Sequence, residues 1–90
     1  YAVNPNLPTG ICISLASGSS RCLVANLGAA SVYTTTDLKR CNPPFDQIKI
    51  IYIEGFFLTH SLDVVREIVQ LTQSRNTIVA FNLSGEYIFE

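Results

Sequence analysis

The sequence has 90 residues, enough for one domain, of which 48% are hydrophobic and 14% are charged. This composition is apolar for a small free-standing domain, so we expect part of its surface to be covered by a partner chain or by the rest of a longer protein. The net charge of −1 and the lack of a basic run argue against nucleic acid as a partner. No apolar run approaches the roughly 20 residues of a membrane span, so we expect no membrane partner either.

The first residue and the cysteines bear on the origin of the chain. It contains no methionine and begins at Tyr1, which favours a processed chain or an internal fragment. Its three cysteines, Cys12, Cys22 and Cys41, are too far apart for a zinc site or a CxxC redox pair. An odd number of cysteines without a secretory signal is typical of reduced thiols in a cytoplasmic protein.

Residues 1–30 predict a β-hairpin after a proline-containing lead-in over residues 1–8. Apolar residues alternate with other residues over 11–15 and again over 22–27, and the segment "SGSS" at 17–20 lies between the two runs. Two runs of period 2 on either side of a glycine-serine turn are typical of a hairpin.

The second strand of this hairpin carries a candidate binding face. A period of 2 places Arg21, Leu23, Ala25 and Leu27 on one side of the strand. This apolar stripe, which ends in a guanidinium, suits an apolar ligand with an anionic group. The alternative is a hairpin that packs on its own domain with Arg21 at the surface, and the spacing leaves both interpretations open.

Residues 31–47 are interpreted as a connector that contains a short helical turn after Thr36 and ends at the prolines Pro43 and Pro44. Residues 48–55 then predict a strand that is apolar at nearly every position. Such strands are typical of sheets that are covered on both faces.

The final segment, residues 48–90, predicts a parallel βαβ unit. After the strand at 48–55, Ser61 suits the N-cap of a helix and Asn76 suits its left-handed end. A second apolar strand follows over residues 77–83, and then a short helical turn. The apolar helical face is predicted to consist of Leu62, Val65, Ile68, Val69 and Thr72.

The carboxyl ends of these two strands are the second candidate site, because ligands of open parallel sheets bind there. One end carries Gly55, Phe56 and Phe57, and the other carries Asn82. A glycine at such a position allows a close approach of backbone or ligand, and an aromatic ring beyond it offers a stacking surface. Whether the two phenylalanines form the lip of a ligand site or pack under the helix as core is left open by the pattern.

The sequence lacks the motifs of a metal site, a serine nucleophile and a phosphate-binding loop. His60 has no second ligand at metal spacing, so no metal site is predicted. No serine lies in a G-x-S-x-G elbow, and no glycine-rich phosphate loop is present.

Four segments, "PTG.C", "R.LVANLGAA", "YI.GFFLT.S" and "NLSGEYI", resemble the adenosine kinases in their order and spacing, from about Pro8 to Ile88. These kinases belong to the ribokinase-like (PfkB) carbohydrate and nucleoside kinases. The resemblance implies an α/β fold in which residues 1–30 form part of a β lid, 31–47 a connector, and 48–90 part of the central sheet of a large domain. It also implies a cytoplasmic protein, with the nucleus as the alternative compartment.

The activity implied by the resemblance is transfer of the γ-phosphoryl group of ATP, with Mg²⁺, to the 5′-hydroxyl of adenosine, which gives AMP in purine salvage. The position of Arg21 in the family approaches the transferred phosphate when the lid closes. The family lines its adenosine pocket with residues at the positions of Leu23, Ala25, Leu27, Phe56 and Tyr87. The stripe assigned to one face by spacing is therefore the stripe that the family uses.

The sequence also departs from the family. It has "NLSGEY" where adenosine kinases commonly have "NLSAPF", and Glu54 stands where a small residue is usual. The "D-T-x-G-A-G-D" segment with the catalytic aspartate and the early glycine pair are both absent, so we predict that the 90 residues alone are inactive and that ATP and Mg²⁺ are bound mainly by the remainder of the kinase. The alternatives are another ribokinase-like nucleoside or sugar kinase, and a non-catalytic binding or assembly module.

Overall fold

The computed structural model describes residues 1–89, and the side chains of Tyr87 and Phe89 lie outside the described part. Its α/β architecture combines an antiparallel hairpin with a parallel strand pair, as predicted. The helices and strands follow in the order β1 (Thr9–Ser17), β2 (Ser20–Gly28), α1 (Thr35–Cys41), β3 (Ile50–Ile53), α2 (Leu58–Thr72) and β4 (Ile78–Phe81). Short 3₁₀ helices lie at Ala29–Val32, Phe45–Gln47, Gly55–Phe57 and Glu86–Phe89.

The hairpin of β1 and β2 is closed by the pair Ser17 and Ser20 at its tip, where Gly18 adopts a left-handed φ of 57°. At its base, the N–H of Ala29 donates to the carbonyl of Pro8 at 2.8 Å. Gly28, with φ 52°, lies so close to this point that an added Cβ would be 2.3 Å from the Pro8 oxygen. Both ends of the hairpin therefore depend on glycine geometry.

Helix α1 forms in the predicted connector because a capping box between Thr34 and Asp37 stabilises its first turn. The Thr34 hydroxyl accepts from the Asp37 N–H at 3.4 Å, and the Thr34 N–H donates to the Asp37 carboxylate at 3.0 Å. The Thr34 hydroxyl also donates to the Asp37 carboxylate at 2.8 Å. This bond is the largest cause that lowers the pKa of Asp37, and the bond from the Thr34 N–H to the same carboxylate is the next. Asn42 ends the helix in a left-handed conformation before Pro43.

Strands β3 and β4 are parallel, with Ile50 opposite Ile78 and Ile53 opposite Phe81. Helix α2 connects them and packs on the pair, which confirms the predicted βαβ unit. The buried core lies between the sheet, α2 and α1, and consists of Leu38, Ile53, Val64 and Ile68.

Helix α2 differs from the prediction at its start. It begins at Leu58, directly after the 3₁₀ helix, and is kinked at Ser61, whose backbone has φ −137° and ψ 38°. The Ser61 hydroxyl donates to the Tyr33 carbonyl at 3.3 Å instead of capping the helix. The predicted apolar face is only partly correct, because Val64, Ile68 and Thr72 are buried while Leu62 and Val69 are exposed.

The predicted left-handed end at Asn76 is wrong, because α2 already ends at Thr72 with Gln73 in a right-handed conformation. The N–H of Arg75 donates to the Thr72 carbonyl at 2.9 Å, and the Arg75 guanidinium donates to the carbonyl of Leu71. These bonds satisfy the last carbonyls of the helix, so a left-handed cap is not needed. None of the helices in the described residues has the length and apolar character needed to cross a membrane.

Candidate functional site

The carboxyl ends of β3 and β4 are joined by side-chain hydrogen bonds to the backbone. The N–H of Gly55 donates to Asn82 Oδ1 at 2.7 Å, and the N–H of Phe56 donates to Ser84 Oγ at 3.1 Å. The two residues that sequence analysis assigned to a strand-end site, Gly55 and Asn82, are therefore in direct contact. Because side chains of this chain accept from both N–H groups, those groups are not free to bind a phosphate.

Glu54 completes this arrangement, which sequence analysis missed. Its carboxylate accepts from Asn82 Nδ2 at 2.5 Å and lies 3.2 Å from Ser84 Oγ, while the same Oγ lies 2.8 Å from Asn82 Oδ1. Ser84 has one hydroxyl proton, so it donates to one of these two oxygens at a time. The signal in the sequence was the presence of three polar residues just beyond two apolar strands.

Gly55 is the point of closest approach between the two strand ends. An added Cβ would lie 2.4 Å from the carbonyl oxygen of Asn82 and 2.7 Å from Ser84 Oγ. The glycine is also buried. A larger residue would collide with the end of the neighbouring strand, so this is the close approach of backbone that the sequence pattern allowed.

The two adjacent phenylalanines have different environments. The Phe57 ring packs against the core and lies 6.0 Å from the Tyr33 ring and 5.6 Å from the His60 ring, measured between centroids. Phe56 is 46% exposed at the rim of the strand ends. The question left open by the pattern is therefore answered separately for each residue: Phe57 belongs to the core, and Phe56 lines the rim.

Tyr33 and His60, whose rings contact the Phe57 ring, also interact with neighbouring residues of the fold. Burial, followed by the neighbouring Cys41, raises the pKa of Tyr33, so its phenol stays neutral near pH 7. His60 Nδ1 lies 3.2 Å from the hydroxyl of Thr59. Among the described residues, no group of three or more histidine, cysteine, aspartate or glutamate side chains is arranged to hold a metal ion.

The hairpin presents two exposed faces of different shape. The regular β2 strand keeps Arg21, Leu23, Ala25 and Leu27 on one side, and Leu23 and Leu27 are 55% and 45% exposed. The residues opposite this stripe on β1 are small, and sequence analysis did not include them in the face; they are Cys12, Ser14 and Ala16. The other face carries the bulkier Ile11, Ile13, Leu15 and Val24.

The hairpin stripe and the strand-end rim belong to different halves of the molecule, which are joined through the 3₁₀ helix at Ala29–Val32. An apolar cavity of about 430 Å³ lies on the sheet beside this 3₁₀ helix, but neither the stripe nor Phe56 lines it. Its walls are formed by Ala30, Tyr33, Leu38, Ile51, Tyr52, Ile53, Glu54, Phe57, Val64 and Ile68. The side chain of Tyr87, the remaining residue assigned to the site, lies outside the described residues.

No protein-family model matches the sequence, but several curated proteins do. Adenosine kinase 2 of Arabidopsis thaliana is 34% identical over an alignment that covers 100% of this chain and 27% of the relative. The adenosine kinase of Schizosaccharomyces pombe is 34% identical over 98% of this chain and 27% of the relative. The adenosine kinase of Saccharomyces cerevisiae is 33% identical over 98% of this chain and 26% of the relative.

These matches extend over all or nearly all of the 90 residues, and the mixed strand and helix architecture agrees with the ribokinase-like α/β fold implied by the resemblance. The chain spans about a quarter of the length of the relatives it matches. The resemblance to adenosine kinases is therefore confirmed, and the chain corresponds to one continuous segment of these proteins.

Proposed function

We propose that this chain is part of an adenosine kinase, which transfers the γ-phosphoryl group of ATP to the 5′-hydroxyl of adenosine and so forms AMP for purine salvage. The observation that carries the proposal is the match to several adenosine kinases over all or nearly all of the chain at about 34% identity. In this proposal the 90 residues supply part of the lid and part of the nucleoside-pocket wall.

The hairpin stripe is suited to cover an adenine ring. Leu23 and Leu27 are exposed on a face where the opposite strand carries small side chains, which leaves a shallow apolar surface for a flat ligand. Arg21 lies on the same side near the tip of the hairpin, where its guanidinium can approach an anionic phosphate. Its role is to stabilise the charge that develops on the transferred phosphoryl group.

The strand-end rim forms the second wall. Phe56 offers a half-exposed ring for stacking on the nucleobase, while Gly55 and Asn82 hold the rim together. By resemblance, Tyr87 contributes a further aromatic side chain to the same pocket.

ATP and Mg²⁺ are bound mainly by parts of the kinase outside these 90 residues. Phosphoryl transfer depends on positioning and on neutralisation of phosphate charge by the metal, and the glycine-rich segment with the catalytic aspartate is absent from this sequence. The 90 residues by themselves are therefore predicted to be inactive.

The test is ATP-dependent conversion of adenosine to AMP by the full-length gene product. Arg21→Ala is expected to lower kcat by about a hundredfold, the usual effect of removing one donor from a transition-state charge, with a smaller change in the adenosine KM. Arg66→Ala is the matched control, because this arginine lies on the exposed side of α2 and pairs with Asp63 one turn away. Absence of adenosine phosphorylation by the wild type would refute the proposal.

A binding or assembly module is the second candidate, because nearly every residue of β1 and β2 is exposed. Exposed strand edges and apolar faces can pair with another chain. A kinase with a sugar substrate is less compatible with the leucines of the stripe, since a polar sugar favours polar contacts. A molecular mass in solution that shows self-association, without adenosine phosphorylation, would support the assembly module. Phosphorylation of ribose in place of adenosine would support the sugar kinase.

A further inference from the structure

The strand-end network contains more hydrogen bonds than pairing of the two strands requires. The ladder between β3 and β4 ends at Ile53 and Phe81. Beyond it, two side chains from the β4 end accept hydrogen bonds from two consecutive backbone N–H groups at the β3 end. These contacts fix the backbone on both sides of the Cα of Gly55, directly before Phe56, and the N–H of Phe57 donates to the Glu54 carbonyl at 2.9 Å on the other side of Phe56, the residue whose ring lies at the rim.

Glu54 controls which atom of Asn82 faces the glycine. The amide NH₂ of Asn82 donates to the Glu54 carboxylate, so its oxygen points to the N–H of Gly55. Without Glu54 the amide can turn by 180° and present its NH₂ group to the Gly55 N–H, which would leave two donors facing each other. Glu54 thus acts on the backbone next to Phe56 through Asn82.

Global stability does not account for this arrangement. Glu54 is exposed and Asn82 and Ser84 are partly exposed, and one such hydrogen bond adds only about 0.5–1.5 kcal/mol to the free energy of unfolding. What the bonds do provide is one fixed conformation of a loop that carries an exposed aromatic ring. A pre-ordered ring binds a flat ligand more tightly, because less conformational entropy is lost on binding.

We propose that Glu54, Asn82 and Ser84 form a strand-end clamp that positions Phe56 and thereby sets the affinity for the nucleoside. This inference rests on the proposed function, since it assigns a role in the same pocket. Glu54 is a positioning residue in this scheme. Its carboxylate acts as a hydrogen-bond acceptor and does not contact the substrate.

The experiment compares Glu54→Ala and Glu54→Gln in the full-length protein. Glu54→Ala is expected to raise the adenosine KM about five- to tenfold, the size expected when one residue must be ordered on binding, while the ATP KM and the Tm stay close to those of the wild type. Glu54→Gln keeps an oxygen that accepts from Asn82, so its adenosine KM should lie within about twofold of the wild-type value. Asp63→Ala, at an exposed carboxylate on α2, is the control for loss of a negative charge.

Amide hydrogen exchange tests the clamp independently of activity. The N–H groups of Gly55 and Phe56 should exchange faster in Glu54→Ala than in the wild type and at the wild-type rate in Asp63→Ala. Should Glu54→Ala fail to fold, Ser84→Ala provides the second variant, because it removes the acceptor of the Phe56 N–H and leaves the contact between Glu54 and Asn82.

Several results would overturn the inference. One is an unchanged adenosine KM in Glu54→Ala and Ser84→Ala. Another is an equal rise in the KM of both substrates together with a lower Tm, which would indicate a merely structural role. A third is a Glu54→Gln variant as impaired as Glu54→Ala, since the effect would then come from charge. A wild type that does not phosphorylate adenosine, with faster exchange in Glu54→Ala, would refute the proposed function and the role in nucleoside affinity while the clamp itself stands.

Discussion

The hairpin and the βαβ half use their apolar residues in opposite ways. In the hairpin, every residue of β1 and β2 except Gly28 is exposed, including the leucines and isoleucines of both faces. In the βαβ half, apolar residues from the sheet and both helices meet in one core around Val64 and Ile68. A similar apolar content therefore serves as surface in one region and as packing in the other.

This difference shows what holds each region in its conformation. The hairpin register is fixed by the turn at Gly18 and by the ladder of backbone bonds, whereas the βαβ half is stabilised by burial. Substitutions in the two regions should therefore separate stability from ligand affinity. The predictions below test this separation in the full-length protein, from the largest expected effect to the smallest.

The largest effect is expected for Ile68→Ala in the core. The side chain is buried among Leu38, Ile53 and Val64, and truncation of a buried isoleucine lowers the free energy of unfolding by about 2–5 kcal/mol. Urea unfolding measures this change, and the adenosine KM of the folded variant should stay near the wild-type value. A loss below about 1 kcal/mol would contradict burial as the source of stability in this half.

Gly55→Ala is expected to have the next largest effect. The new Cβ would collide with the backbone oxygen of Asn82, and overpacking of this kind costs about 1–3 kcal/mol. Gly18→Asn is the matched control, because nothing lies within 4 Å of its Cβ position and asparagine tolerates a positive φ. Equal stability of the two variants in urea unfolding would show that the strand ends are not in close contact.

Leu23→Ala tests the hairpin side of the comparison. Its side chain is 55% exposed, so the free energy of unfolding should change by less than about 0.5 kcal/mol. If Leu23 covers the nucleobase, the lost apolar contact raises the adenosine KM by about tenfold. The control is Val24→Ala on the opposite face of the same strand, and equal KM values for the two variants would rule out a binding role of the stripe.

Local patterns were sufficient to predict the hairpin and the parallel strand pair. The period-2 runs on either side of "SGSS" and the two apolar runs at 48–55 and 77–83 are signals that neighbouring residues carry by themselves. The capping box of α1 was also present in the sequence as Thr34 followed by Asp37 three residues later, but the connector prediction started the helical turn after Thr36.

The strand-end network was not predictable from these patterns, because its bonds join residues 27–30 positions apart in the sequence. The different environments of Phe56 and Phe57 were not predictable for another reason. They lie in a 3₁₀ helix at the junction of a strand and an α-helix, where neither a period of 2 nor a period of 3.6 applies. Contacts with α2 and Tyr33 decide which ring is buried.

The smallest expected effect is the pH dependence of the α1 capping box, which lies between the hairpin and β3 in the sequence. Hydrogen bonds from the hydroxyl and the N–H of Thr34 lower the pKa of Asp37 in the folded protein from its ordinary value of 3.8. A carboxyl with a lowered folded pKa stabilises the protein above its unfolded pKa, and this contribution is lost as the pH falls through the folded value. The stability difference between wild type and Asp37→Asn should therefore be constant from about pH 7 to pH 5 and should shrink below about pH 4.

Urea unfolding across this pH range measures the effect, and Thr34→Ala is the control. That substitution removes the hydroxyl bond, the largest cause of the lowered pKa, so the pH dependence of the Asp37→Asn difference should become weaker in the Thr34→Ala background. A difference that stays constant down to about pH 2.5 would mean that the carboxylate is not held by Thr34. The carboxylate charge of Asp37 would then not stabilise the cap, and the packing of Leu38 in the core would determine where α1 starts.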